Sequence, residues 1–146
     1  MPTAEILATL AAGGFFLTGL LTGVWKYLQI HQSEQGEAHP YVNIAHRTAL
    51  LYSFACLLLV HFTRLSQLDD TLELIAVAAQ VVFFALAVLS YVLHGWLGDT
   101  DNQLRRPFVV SRWRLPGVLM GSFMTLLIIA EIGGFLVLFA GVILAL

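Results

Sequence analysis

A stripe of polar side chains follows one face of an otherwise apolar segment, residues 44–65. When the segment is wound as a helix at about 100° per residue, three of these polar side chains point in the same direction to within about 20°. Two others point about 60° to one side of them. The three are His46, Ser53 and Arg64, and the two are Asn43 and His61. An unpaired polar group is costly in hydrocarbon, so polar residues in a membrane face protein, a partner chain or a cofactor. One side of the segment therefore faces water, protein or a ligand instead of lipid.

His46 is the member of this stripe with the clearest chemistry. It stands at the start of an apolar helix, and it could lie level with Tyr91 and His94 of the next, antiparallel helix. A neutral imidazole held in an apolar wall is the ligand that haem iron most often takes. Spacing alone does not separate this role from that of a histidine that simply hydrogen-bonds at the membrane interface.

The third apolar segment, residues 71–93, also has a distinct face. Gln80, Phe84, Ala87 and Tyr91 recur at helical spacing, and His94 follows one turn later. Gln80 and Tyr91 are within about 20° of each other around the helix.

Glu131 lies in the middle of the last apolar segment, just before Gly133 and Gly134. A carboxyl group at that depth is a functional candidate by default. It could relay protons, hydrogen-bond to Gln80 or Ser53, or pair across helices without any chemical role. The two glycines predict a close helix approach beside it.

A set of loop residues has the composition of a metal site. The set comprises His31, Glu34, Glu37, His39, Asp99 and Asp101. Histidine and carboxylate ligands suit zinc or other first-row metals. Because no HExxH or CxxC pattern organises them, solvated loop residues are the favoured interpretation. The sequence also contains no nucleophile elbow, phosphate-binding loop or catalytic triad.

Composition places these residues in a membrane. Of the 146 residues 59% are hydrophobic and 11% are charged, against roughly 25% charged in soluble domains. The chain is therefore an integral membrane protein, and its length fits a single domain, 1–146. The basic residues are too few and too localised for nucleic-acid binding. Cys56, the only cysteine, is expected to be a buried apolar residue.

The hydropathy predicts an all-α bundle of four transmembrane helices. Their expected spans are 5–27, 44–65, 71–93 and 115–140. Gly19 and Gly23 form a small-residue ridge for close packing. Pro40 is expected to end any helix in the first loop, and Asp69 or Asp70 to cap the third.

Basic residues predict the orientation. Six of the seven flank or fill the first and third loops: Lys26, Arg47, Arg105, Arg106, Arg112 and Arg114. Only Arg64 lies on the other side. The positive-inside rule then makes both loops cytoplasmic, with both termini outside, in what we expect to be a bacterial inner membrane.

The chain resembles a known family in several features. The first helix contains GGFFLTGLLTG, the second opens on the pair Ala45 and His46, and Tyr91 lies near the end of the third. In these features the chain resembles the styrene oxide isomerase family and its apparent relatives, the hydroxylaminobenzene mutases. It departs from the isomerases at Tyr52, where that family has asparagine, and in Glu131 and the DTDNQLRRP loop, which have no counterpart there.

The resemblance implies haem b bound between subunits of a homo-oligomer, with His46 as axial ligand. Asn43 and Ser53, which share the polar stripe with His46, are the further candidates for cofactor binding. The resemblance also implies that ferric iron acts as a Lewis acid on a small lipophilic epoxide, with the Tyr91 hydroxyl near the substrate oxygen. Two alternatives stay open. One is a non-catalytic subunit or scaffold packing against partner membrane subunits, and the other is a transport or electron-transfer module that uses Glu131 and haem.

Overall fold

Four apolar helices, each long enough to cross a membrane, make up the protein in a computed structural model that describes all 146 residues. The first three are α1 (Thr3–Gln32), α2 (Pro40–Leu65) and α3 (Asp70–Leu97). The fourth span consists of α4 (Gly117–Ile128), a π-helical turn (Ile129–Gly133) and α5 (Gly134–Ala145). The predicted all-α, four-helix membrane bundle is confirmed.

The two ends of the bundle differ in character. One end carries the first and third loops, residues 33–39 and 98–116, and we call it the loop end. The opposite end carries both chain termini and the short turn between α2 and α3, and we call it the terminal end.

The helices extend beyond most of the predicted spans. The prediction for Pro40 was wrong, because it begins α2 instead of ending a helix. Proline suits the first position of a helix, where its missing N–H has no intrahelical partner to lose. The His39 side chain completes this start, since its Nδ1 accepts a hydrogen bond from the Tyr41 amide at 3.2 Å.

Both ends of α3 follow capping rules. The Asp69 carboxylate accepts a hydrogen bond from the Thr71 amide at 2.9 Å, which confirms one of the two predicted caps. Gly98 ends the helix with a left-handed backbone, φ +59°, a conformation that glycine adopts without steric cost. The chain then forms a small antiparallel hairpin of β1 (Val109–Val110) and β2 (Trp113–Arg114). Strands of two residues are too short to leave a pattern in the sequence.

The most extensive contact in the bundle is between α1 and α2. Gly19 makes it possible, because a Cβ there would lie 2.6 Å from Leu50 Cδ2. The core fills the centre and the terminal end with alanine, branched aliphatic and aromatic side chains. It includes Ala8, Leu59, Val77 and Leu138 in one cluster, and Ala49, Cys56, Phe84 and Val88 in a second. Cys56 is fully buried, as predicted.

The fourth span packs through its second half. Gly134 lies so close to α3 that a Cβ there would be 2.7 Å from the Ala76 carbonyl oxygen, which confirms the close approach. Gly133, by contrast, faces open space. No residue of α4 is buried. The loop half of this span therefore stands further from the bundle and leaves a cavity against α3.

An ion pair closes the terminal end. Arg64 contacts Glu5 Oε1 through Nη2 at 2.5 Å and through Nε at 2.6 Å. Glu5 is only 5% exposed, so its carboxylate depends on this partner. Arg64 therefore belongs to a structural contact with α1, although the helical wheel groups it with His46.

Candidate functional site

His46 packs against α1 at a position that fixes its tautomer. Its Nδ1 lies 2.7 Å from the carbonyl oxygen of Gly19. A carbonyl can only accept a hydrogen bond, so Nδ1 carries the proton. The neutral ring then has its lone pair on Nε2, which makes no hydrogen bond within the chain. A histidine that binds a metal is commonly held in this way, with its other nitrogen bonded to a backbone carbonyl.

Two glycines of α1 provide the space for this imidazole. A Cβ on Gly23 would lie 2.9 Å from Cε1 of His46, and Gly19 supplies the accepting carbonyl. The sequence pattern indicated a packing ridge at these glycines and assigned them no role in a site. Only the register between α1 and α2 shows that the ridge faces the histidine.

Ser53 and Asn43 lie on either side of His46 along α2. Ser53 donates to the Leu50 carbonyl at 2.6 Å and lines a shallow, mostly apolar groove of about 410 Å³ between α1 and α2. Asn43 lines a polar depression of about 320 Å³ with Lys26 and Glu37. Its Oδ1 is buried without a hydrogen-bond partner.

Tyr91 does not share this side of α2. Its ring stacks on Tyr41 with a centroid distance of 5.8 Å. Tyr41 and His46 lie about 140° apart around α2. Within one chain, therefore, the structure does not bring His46 together with Tyr91, although the sequence alone allowed them to lie level. The wheel of a single helix cannot tell which neighbour lies on which side.

His94 belongs to a separate group of side chains, which we call the loop-end cluster: Tyr41, Tyr91, His94, Asp99 and Gln103. His94 Nδ1 lies 2.7 Å from Asp99 Oδ1, and the other carboxylate oxygen accepts from the Ser111 amide at 2.6 Å. Burial alone would raise the pKa of Asp99, but the hydrogen bonds from His94 and the Ser111 amide hold that pKa below its usual value.

Gln103 ties the third loop to two helices. Its backbone amide donates to the Tyr41 hydroxyl at 2.5 Å, and its Oε1 accepts from Ser90 at 2.6 Å. The Tyr41 ring also packs on His94, with a centroid distance of 5.3 Å. The sequence pattern indicates Tyr91 and His94 but not Tyr41, Ser90 and Gln103, because contacts between a loop and a helix leave no periodic signal.

The predicted face of α3 is confirmed. Gln80, Phe84, Ala87 and His94 are buried, and Tyr91 is half-buried. Phe84 stacks on Tyr52 of α2 at a centroid distance of 4.0 Å. Tyr52, the departure from the isomerase pattern, therefore contributes to the aromatic core of the bundle.

Glu131 lies in the π-helical turn of the fourth span, and its Oε1 is buried without a hydrogen-bond partner. It lies within electrostatic range of Tyr52 and Tyr91. The suggested bonds to Gln80 and Ser53 do not form, and both side chains instead donate to carbonyls of their own helices. π-Helical turns occur often at functional sites.

The other candidates are dispersed. His61 is exposed at the terminal end of α2, and His31 is exposed near the end of α1. No three histidine, cysteine or carboxylate side chains come together as metal ligands. Of the six loop residues that resembled a metal set, Asp99 pairs with His94 and Asp101 with Arg105.

Fold and composition define an integral membrane protein with a four-helix bundle. No family model, curated protein or solved structure matches the chain.

Proposed function

We propose that this protein binds haem b through His46 and acts as a haem-dependent isomerase on a small lipophilic epoxide. The observation that supports the proposal is the hydrogen bond from His46 Nδ1 to the Gly19 carbonyl. This bond holds the ring in the tautomer that offers Nε2 as a ligand, and it fixes the ring plane against α1.

The surroundings of His46 fit a flat, apolar cofactor. His46 is half-buried at the edge between α1 and α2, and the groove beside Ser53 continues along the same face. This face is too open to enclose a porphyrin within one chain. A second copy would supply the opposite wall, so the proposal includes a homo-oligomer with haem between its subunits.

The orientation in the membrane follows the basic residues. Lys26, Arg47 and the arginines of the third loop gather at the loop end, while Arg64 stands alone at the terminal end. The proposal places the loop end in the cytoplasm of a bacterium and the termini outside. His46 would then lie near the inner leaflet of the cytoplasmic membrane.

Ferric haem with one histidine ligand supplies a Lewis acid that polarises the oxygen of an epoxide. The chain contributes the ligand, its fixed tautomer and an apolar setting that strengthens electrostatic attraction. Tyr91 lies on the other side of α2, so a tyrosine hydroxyl at the substrate would have to come from a neighbouring copy.

An absorption spectrum of the purified protein tests the proposal. We expect a Soret band that His46→Ala abolishes and that His61→Ala, at the exposed histidine of the same helix, leaves intact. Conversion of styrene oxide to an aldehyde, followed by NMR, should disappear with the band. Purified protein without haem that is associated with other membrane chains in fixed ratio would instead indicate a scaffold subunit.

Glu131 supports a second candidate, a proton-handling transport module. A buried carboxyl oxygen without a partner in the middle of a span is a common feature of proton pathways. Liposomes containing the protein and a pH-sensitive dye should show proton flux that Glu131→Gln abolishes. Equal proton flux with the wild-type protein and with the variant, or no flux with either of them, would exclude this candidate.

A further inference from the structure

A cavity of about 310 Å³ lies between α3, α4 and the third loop, at the loop end of the bundle. It forms because α4 buries none of its residues, while the loop is tied down by Asp99 and Gln103. His46 and the α1–α2 edge are not part of it. Its size is at the lower end of the range for small-molecule sites, so it suits a molecule of one or two rings and excludes haem.

One end of the cavity is polar and consists of the buried His94 and the half-buried Ser90 and Gln103. His94 is 4% exposed, its Nδ1 is engaged by Asp99, and its Nε2 has no partner in the chain. Since a carboxylate only accepts, Nδ1 carries the proton and Nε2 of the neutral ring accepts. Ser90 gives its proton to Gln103 Oε1, which leaves the Ser90 oxygen as an acceptor and the Gln103 amide NH₂ as a donor.

The rest of the cavity is apolar. Seven of its ten lining residues are hydrophobic, among them Met120, Phe123 and Met124 of α4. Methionine side chains are flexible and polarisable, and they adapt to apolar ligands of irregular shape. The cavity therefore has hydrogen-bond acceptors and a hydrogen-bond donor at one end, and a flexible apolar wall at the other.

From this arrangement we propose that the cavity is a binding site for a small apolar molecule that carries a hydroxyl group. The hydroxyl hydrogen would be donated to His94 Nε2, and the hydroxyl oxygen would accept from the Gln103 amide. A hydroxyl group both donates and accepts, whereas an ether only accepts and a hydrocarbon does neither. The site is independent of haem and of the proposed isomerase activity.

Three matched probes test the chemistry: 1-naphthol, 1-methoxynaphthalene and naphthalene. Equilibrium dialysis against purified protein in detergent should show saturable binding of one 1-naphthol per chain. 1-Methoxynaphthalene loses one of the two hydrogen bonds and should bind roughly tenfold more weakly, and naphthalene, which loses both, should bind more weakly still. Equal binding of the three probes would overturn the proposal, as would the absence of saturation.

Two tryptophan substitutions locate the site. Met120→Trp should fill the cavity and abolish 1-naphthol binding, while Leu136→Trp, on an exposed part of α5, should leave it unchanged. The milder variant Ser90→Ala leaves the apolar walls unchanged and should weaken the binding of 1-naphthol more than that of the other two probes. Binding should persist in His46→Ala, which separates this site from any haem site. Unchanged binding in Met120→Trp would place the probe elsewhere and refute the proposal.

Discussion

His94 and Asp99 join the last turn of α3 to the third loop through a hydrogen bond of 2.7 Å. The second oxygen of the same carboxylate accepts a hydrogen bond from the amide of Ser111 at 2.6 Å, and Ser111 itself has a positive φ of 55°. One side chain thus fixes both the helix end and the hairpin beside it. The stability of this loop should therefore depend on the charge of Asp99.

Acidification should release the third loop. The pKa of Asp99 is held below its usual value of 3.8, so the carboxylate stabilises the folded loop fully above that value. This stabilisation is lost as the pH falls through the lower, folded-state pKa. The protection of the Ser111 amide, which is the slowing of its exchange relative to that of an unfolded peptide at the same pH, should be high at neutral pH and should be lost well below pH 3.8.

Asp99→Ala provides the control for this pH dependence. It removes both hydrogen bonds and should lower the free energy of loop opening by about 1–3 kcal/mol at neutral pH. The Ser111 amide should then show little protection relative to an unfolded peptide at every pH. Strong protection in the variant would show that the loop is held by its apolar contacts instead.

A methyl group at Gly23 should displace His46. The Cβ of Gly23→Ala would lie 2.9 Å from His46 Cε1, so the ring must move and its bond to Gly19 must weaken. If His46 ligates haem, we expect a shifted or weakened Soret band. Gly14→Ala, on the same helix with open space around it, is the matched control. A normal spectrum for Gly23→Ala would argue against His46 as the ligand.

The sequence predicts the helices of this protein far better than its sites. Long apolar runs determine four spans, and the 3.6-residue period places Gln80, Phe84 and His94 on one buried face. The residue pattern of one helix does not identify which helix packs on each of its sides. The sequence therefore could not show that His46 faces α1 while Tyr41 faces α3. The contacts of Gln103 depend on how an irregular loop folds back, which no periodicity encodes.

The ion pair at the terminal end should contribute to stability mainly by neutralising Glu5. Arg64→Leu leaves a nearly buried carboxylate without its partner, and we expect a loss of roughly 1–2 kcal/mol, because Arg64 itself is well exposed. The double variant Glu5→Gln with Arg64→Leu should recover part of that loss. Urea titration of the detergent-solubilised protein measures the free energy of unfolding of both variants. A double variant less stable than Arg64→Leu would contradict this account.

Replacing either of two neighbouring glycines in the fourth span by alanine should change the stability of the protein in opposite directions. In Gly134→Ala the new Cβ would lie 2.7 Å from the Ala76 carbonyl oxygen and 3.1 Å from Gln80 Cγ. Backbone cannot yield as a side-chain end does, so α5 must move away from α3 at a cost of about 1–3 kcal/mol. Gly133→Ala meets nothing within 4 Å and should be neutral or stabilising by up to about 1 kcal/mol, because alanine favours a helix. Thermal unfolding in detergent should therefore show a lower Tm for Gly134→Ala and an equal or higher one for Gly133→Ala. The reverse order would mean that the fourth span packs through its other face.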